Sequence, residues 1–235
     1  MIDLSGFDQG RVARLTGTAI LLVIALGIAS AILVSGDINI NLNVDASQII
    51  DNMSAAGARL YGKAWITVGL GLVDLLIAGG LFLLLRDHGR LLALWSLVVA
   101  LAGGVFVLQV GLENLKIAVL LNSEGMAAAS PEALRALGVG FLTGDYAAFH
   151  LGLVVNTLAK AGFFVLFIRS RTIPPLISWW GLFASLFVAT AIVGRDFIPA
   201  LGHAAITTSF LVSNLVAHLA LGIYLAVRGL RPGEL

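Results

Sequence analysis

The chain has 235 residues, 59% of them hydrophobic and 11% charged, with a mean hydropathy of +1.02. A soluble domain carries roughly a quarter charged residues, so this composition belongs to a membrane protein. The net charge of +1, with no Arg/Lys run, excludes a nucleic-acid surface, and the lack of cysteine excludes disulfides, thiolate metal sites and cysteine nucleophiles.

The residues predict an all-α, polytopic membrane helical bundle of about six transmembrane helices, a single transmembrane domain over residues 1–235. A crossing helix needs about 20 mostly apolar residues. The first such stretch is 12–34, with Arg11 and Arg14 before it and Gly36-Asp37 at its end. It is too long for a signal-peptide core and no clean small-residue cleavage site follows, so it reads as an uncleaved span.

Residues 36–62 read as a structured outer loop. Ile38-Asn39-Ile40-Asn41-Leu42-Asn43-Val44-Asp45 alternates apolar and polar residues, the period of an extended segment with one covered face. Asp45 then opens a short helix with Gln48 in the capping-box position. Together they suggest a lip over the outer mouth of the bundle.

The second span is 64–85, with Trp65 at one interface and Arg86, His88 and Arg90 beyond the other. The third is 91–121, broken by Asn122-Ser123-Glu124-Gly125. Ser130-Pro131-Glu132 predicts a separate short helix, with Ser130 as cap and Pro131 at the first helical position. The fourth span is 144–168, closed by Arg169 and Arg171. Pro174-Pro175 open the fifth, 176–193, with Trp179-Trp180 at an interface. The sixth is 204–227. Eight arginines (11, 14, 86, 90, 169, 171, 228 and 231) fall on one side of this arrangement. The positive-inside rule therefore predicts cytoplasmic termini and an inner-membrane location.

Polar residues inside apolar spans are costly and mark the candidate site. Asp74 lies mid-span in the second helix. Its bland role is to fix packing through a hydrogen bond; its functional role is an ion- or proton-responsive acid. Gln109, Glu113 and Lys116 form a stripe at i, i+4 and i+7 on the third, where Glu113 and Lys116 can pair with each other and snorkelling towards an interface is the cheaper explanation. On the fourth, Asp145, Asn156 and Lys160 share a face and His150 lies on the same broad arc; Asp145 reads as interfacial. Lys160 is deep enough for its ammonium to reach towards Asp74 as an ion-pair partner. Thr207, Asn214 and His218 form a stripe on the sixth, most simply as hydrogen-bonding glue between helices.

His150 and His218 raise haem ligation, but their expected heights differ by roughly 15 Å at 1.5 Å per residue, too far for one haem between them. No cofactor or metal is expected, since neither HExxH nor another paired-ligand spacing occurs. Gly69-Leu70-Gly71 lies mid-span and is no phosphate loop. A weak parallel echo links residues 78–95 with 161–179, which generic apolar composition explains almost as well.

Several short motifs resemble one known family. These are Ala13-Arg14-x-x-Gly17, the helix from Asp74 to Arg86, Phe149-His150-x-Gly152, Ile173-Pro174 with Gly181, and the closing Arg228-Gly229. They are similar to a bacterial integral membrane family catalogued as domain-of-unknown-function family 4386. The resemblance implies a compact multi-helix inner-membrane protein and no established activity. The chain departs from the family pattern in its doubled Pro174-Pro175 and in His218, where the pattern has a carboxylate.

Three functional classes follow. The first is a non-catalytic bundle with an internal polar pocket for a small ligand or lipid. The second is an accessory subunit docked to other membrane subunits, or a homo-oligomer, within the lipid bilayer. The third is a small proton-coupled transporter or membrane enzyme built on Asp74, His150, Lys160 and His218; no inverted repeat supports it.

Overall fold

Long apolar runs in this chain satisfy their backbone groups internally, as any segment in hydrocarbon must, and the result is helical throughout. The structure is a computed structural model and describes residues 8–38, 46–122 and 130–230. Among them there are seven α-helices and no strand: α1 Gln9–Leu33, α2 Ala46–Ala56, α3 Ala58–Leu85, α4 Arg90–Asn122, α5 Pro131–Ser170, α6 Pro175–Arg195 and α7 Ala204–Arg228. All but α2 are long and apolar enough to cross a membrane. The shortest of the six has 21 residues, about 32 Å at 1.5 Å per residue, against a hydrocarbon core of about 30 Å.

Local chemistry sets the helix ends. Asp8 accepts from the backbone amides of Gly10 and Arg11 at 2.9 and 3.3 Å and so caps α1. Ser130 accepts from Ala133 at 3.2 Å, with Pro131 as the first helical residue of α5. A 3₁₀ turn, Arg86–His88, and Gly89 at φ 156° join α3 to α4. Buried Ser170 and Thr172 share a 2.9 Å hydrogen bond before Pro174 and Pro175 start α6.

The short helix expected at Ser130 and the fourth span expected at 144–168 are one helix of 40 residues. Gly138, Gly140 and Gly144 do not interrupt it. A Cβ at Gly144 would meet the Glu113 side chain at 3.4 Å, so this glycine admits a neighbour without breaking the backbone. Most of the extended segment expected from Ile38, together with the capping position Asp45, lies outside the described residues.

The chain forms two compact units. One comprises Met1–Ile24, Val73–Gly104 and Leu153–Leu235. Its core gathers Phe163, Phe164, Leu166 and Phe167 of α5 with Leu81, Leu84 and Leu85 of α3 and Leu221 and Leu225 of α7. Here α1 and α7 touch backbone to backbone: a Cβ on Gly17 would lie 2.3 Å from the Ala226 nitrogen and 2.7 Å from the Gly222 oxygen. A satellite core joins Val188, Ala191 and Ile192 of α6 to Phe210 of α7.

The other unit comprises Ala25–Leu72 and Val105–Gly152. Ile49 and Met53 of α2 pack with Ile38, Leu60, Ile117, Ala118 and Leu142, so the described part of the loop after α1 has its own buried face. Polar clasps hold that loop. Arg59 pairs with Asp37 and donates to the Val34 carbonyl at 3.2 Å. Asn52 donates to the Asp37 carbonyl at 2.9 Å, and Lys63 to the Ile38 carbonyl at 3.1 Å. The Arg59 guanidinium bonded to Asp37 holds its carboxyl below the usual carboxylate range.

Candidate functional site

In the first unit, α1, α3, α5 and α7 surround a cavity of about 230 Å³. Its walls are mostly apolar: Ile20, Val23 and Ile24 of α1, Ile77 and Leu81 of α3, three phenylalanines of α5, and leucines of α7. Four polar side chains also line it, namely Asp74, Lys160, Asn214 and His218. The Gly17 crossing brings α1 against α7 at one level, with Ile20 and Leu21 packed on Gly222, and the cavity is lined further along by Val23 and Ile24 of α1 and by His218, Leu215 and Leu211 of α7.

The hydrogen bonding in this cavity is incomplete. His218 donates from Nδ1 to the Asn214 carbonyl at 2.7 Å, which leaves Nε2 of the neutral ring as an acceptor. The Asn214 side-chain oxygen is buried and has no partner. Lys160 stands within electrostatic range of both Asp74 and His218, yet Asp74 and Lys160 do not close to an ion pair.

The second unit holds another polar cluster, and there the groups bond one another directly. Asn114 donates from Nδ2 to Asp145 at 2.8 Å and to the Val110 carbonyl at 2.7 Å. Lys116 and Gln109 both donate to one oxygen of Glu113, the lysine at 2.9 Å. Lys63 and Glu113 lie within electrostatic range of Asp145. Exposure is only 8% at Lys63 and 5% or less at Glu113, Asn114 and Asp145.

A family model described as a domain of unknown function, DUF4386, matches residues 15–229, which spans both clusters. The chain belongs to the DUF4386 family. Neither the curated proteins nor the solved structures contain a significant match to it. Within this DUF4386 chain the nine residues singled out from the sequence separate into three sets. Asp74, Lys160, Asn214 and His218 share the cavity, while Gln109, Glu113 and Lys116 belong to the second cluster. His150 and Asn156 line neither. His150 donates to the Tyr146 carbonyl at 2.8 Å and packs against the Tyr146 and Phe149 rings. Asn156 occupies the space a side chain at Gly103 would need.

One reading needs correction. Glu113 does not snorkel: it is buried, and Gln109 and Lys116 supply the donors that make this tolerable. Asp145 is buried between helices, and Lys63 is buried with it. Asn114, unremarked in the sequence, ties this group together. Its i+1 position after Glu113 is a signal only once α4 is known to stay helical to Asn122. Among the described residues, no three His, Asp or Glu side chains converge as a metal site.

Proposed function

We propose that this protein is a non-catalytic, multi-pass binding protein of the bacterial inner membrane, with both termini cytoplasmic, whose first-unit cavity takes a small ligand or part of a lipid. The observation that carries this reading is the cavity itself: polar side chains from three helices face one space with hydrogen-bonding capacity unspent. Charged groups that serve packing alone are paired, as Glu113 is with Lys116, whereas Asp74 and Lys160 line one space and form no such pair. Leu211 and Leu215 line the cavity and also carry large exposed surface, which favours access from the bilayer. The orientation rests on the arginines at the ends of α1, α3, α4, α5 and α7.

The test is to purify the full chain from native membrane and analyse what travels with it by mass spectrometry. A specific small molecule or lipid, displaced by Leu215→Trp at the cavity margin, is expected. If the wild type and Leu215→Trp carry the same lipids in the same amounts, the binding reading fails. A C-terminal reporter active only outside the cytoplasm would overturn the orientation.

A further inference from the structure

We infer that the cavity selects a zwitterion, an ammonium joined to an acidic group by a short linker, either as a free small molecule or as a lipid headgroup. The inference rests on reading the cavity as a binding site and specifies the ligand.

Charge balance carries the argument. The cavity presents one carboxylate, Asp74, and one ammonium, Lys160. Coulomb attraction between unlike charges is strong away from water, and a long lysine side chain can swing to reach its partner. These two nevertheless stay apart while facing one space. A ligand of net charge inserted there would leave one charge uncompensated in hydrocarbon, which is strongly unfavourable. A neutral ligand with its charges separated does not: its acidic end meets Lys160 and its ammonium meets Asp74.

The other two polar lining groups, the Asn214 amide and the His218 ring, can each offer a donor or an acceptor and so oppose neither end of such a ligand. The volume of about 230 Å³ equals roughly eight waters at ~30 Å³ each, enough for a headgroup or a small amino acid and far too little for a whole lipid. The apolar margin at Leu211 and Leu215 would carry the rest of a lipid outwards.

Native mass spectrometry of the full chain, released from nanodiscs of phosphatidylglycerol alone or mixed equally with phosphatidylethanolamine, tests this. The expected result is retention of phosphatidylethanolamine over phosphatidylglycerol by about tenfold, the scale of one charge-assisted contact. Asp74→Asn should abolish that preference, and Lys160→Met should weaken retention of both lipids. If the source is soluble, free glycerophosphoethanolamine, a phosphodiester with no net charge, raises thermal stability in pure phosphatidylglycerol discs and inorganic phosphate does not. Equal or preferential retention of phosphatidylglycerol overturns the zwitterion, as does a preference that survives Asp74→Asn. In those cases cavity binding still stands if Leu215→Trp reduces retention. Retention of every probe unaffected by Leu215→Trp overturns both readings. The wild-type lipid comparison decides the matter even if a charge variant fails to fold.

Discussion

The two polar clusters of this chain are built from similar side chains and treat them in opposite ways. Around Asp145, the charged groups have partners: Asn114 bonds the Asp145 carboxylate, Lys116 and Gln109 bond Glu113, and Lys63 bonds a backbone carbonyl. Around Asp74, the acid and the lysine line a cavity without touching, and the difference lies in these charges, since each cluster leaves one buried amide oxygen unpartnered, at Asn114 and at Asn214. Membrane interiors tolerate polar groups only with partners or water. A cluster that supplies its own partners is adequately explained as helix glue; one that does not is the better place to look for a ligand.

The sharpest way to break this contrast is Asp145→Ala. It removes one of the two acceptors of Asn114 and leaves Lys63 buried without a nearby countercharge, so thermal or denaturant unfolding in detergent should show a loss of about 3 kcal/mol. Next comes Gly17→Leu, which drives a side chain into the α7 backbone. Overpacking of this kind costs roughly 1–3 kcal/mol, and because the crossing also shapes the cavity, ligand retention should fall with stability. Asp74→Asn and Lys160→Met cut no direct bond but each leaves the other charge uncompensated, so each is expected to cost about 1–2 kcal/mol and the double mutant to recover about 0.5–1 kcal/mol of the summed loss. A coupling well above that would show that the pair closes in solution and would erase the distinction between the clusters.

The smallest effect concerns the loop after α1. Arg59 lowers the Asp37 carboxyl in the folded chain, so ionised Asp37 stabilises the clasp at pH above the ordinary carboxylate value of about 4. That contribution fades as pH falls through the lowered folded value. Amide exchange in Ala46–Ala56, followed down to pH 3 after correction for intrinsic rates, should speed up in the wild type. In Arg59→Gln it should already be fast at neutral pH.

Much of the fold was legible because hydrocarbon leaves few options. Six apolar runs longer than a bilayer is thick must be helices, and the arginines beside them mark the ends. The shared location of Asp74, Lys160 and His218 was legible for a related reason: each is too costly to face lipid. What could not be read was helix rotation. Asp145 and Lys160 lie near one face of α5 at 100° per residue, yet fifteen residues apart they belong to different units. Lys63, near the start of α3, carries no sequence signal that sets it apart, and only the fold brings Ile38 and Asp145 beside it. The continuity of α5 was not legible because the start signal at Ser130-Pro131 and the apolar run from 144 look like two elements, whereas the helix runs on through Gly138, Gly140 and Gly144, the last of which gives Glu113 its room.

The meeting of Gly17 with Gly222 and Ala226 has a mechanical consequence. The two backbones meet directly at Gly17, with Ile20 and Leu21 packed on Gly222 beside them, so the crossing is the close point about which any tilt of α1 against α7 must turn. Seven residues separate Gly17 from Ile24, a lever of about 10 Å at 1.5 Å per residue, so a tilt of ~5° shifts the far end by roughly 1 Å. Substitutions that thicken this hinge should therefore change how quickly a guest enters and leaves, even where they touch none of its atoms.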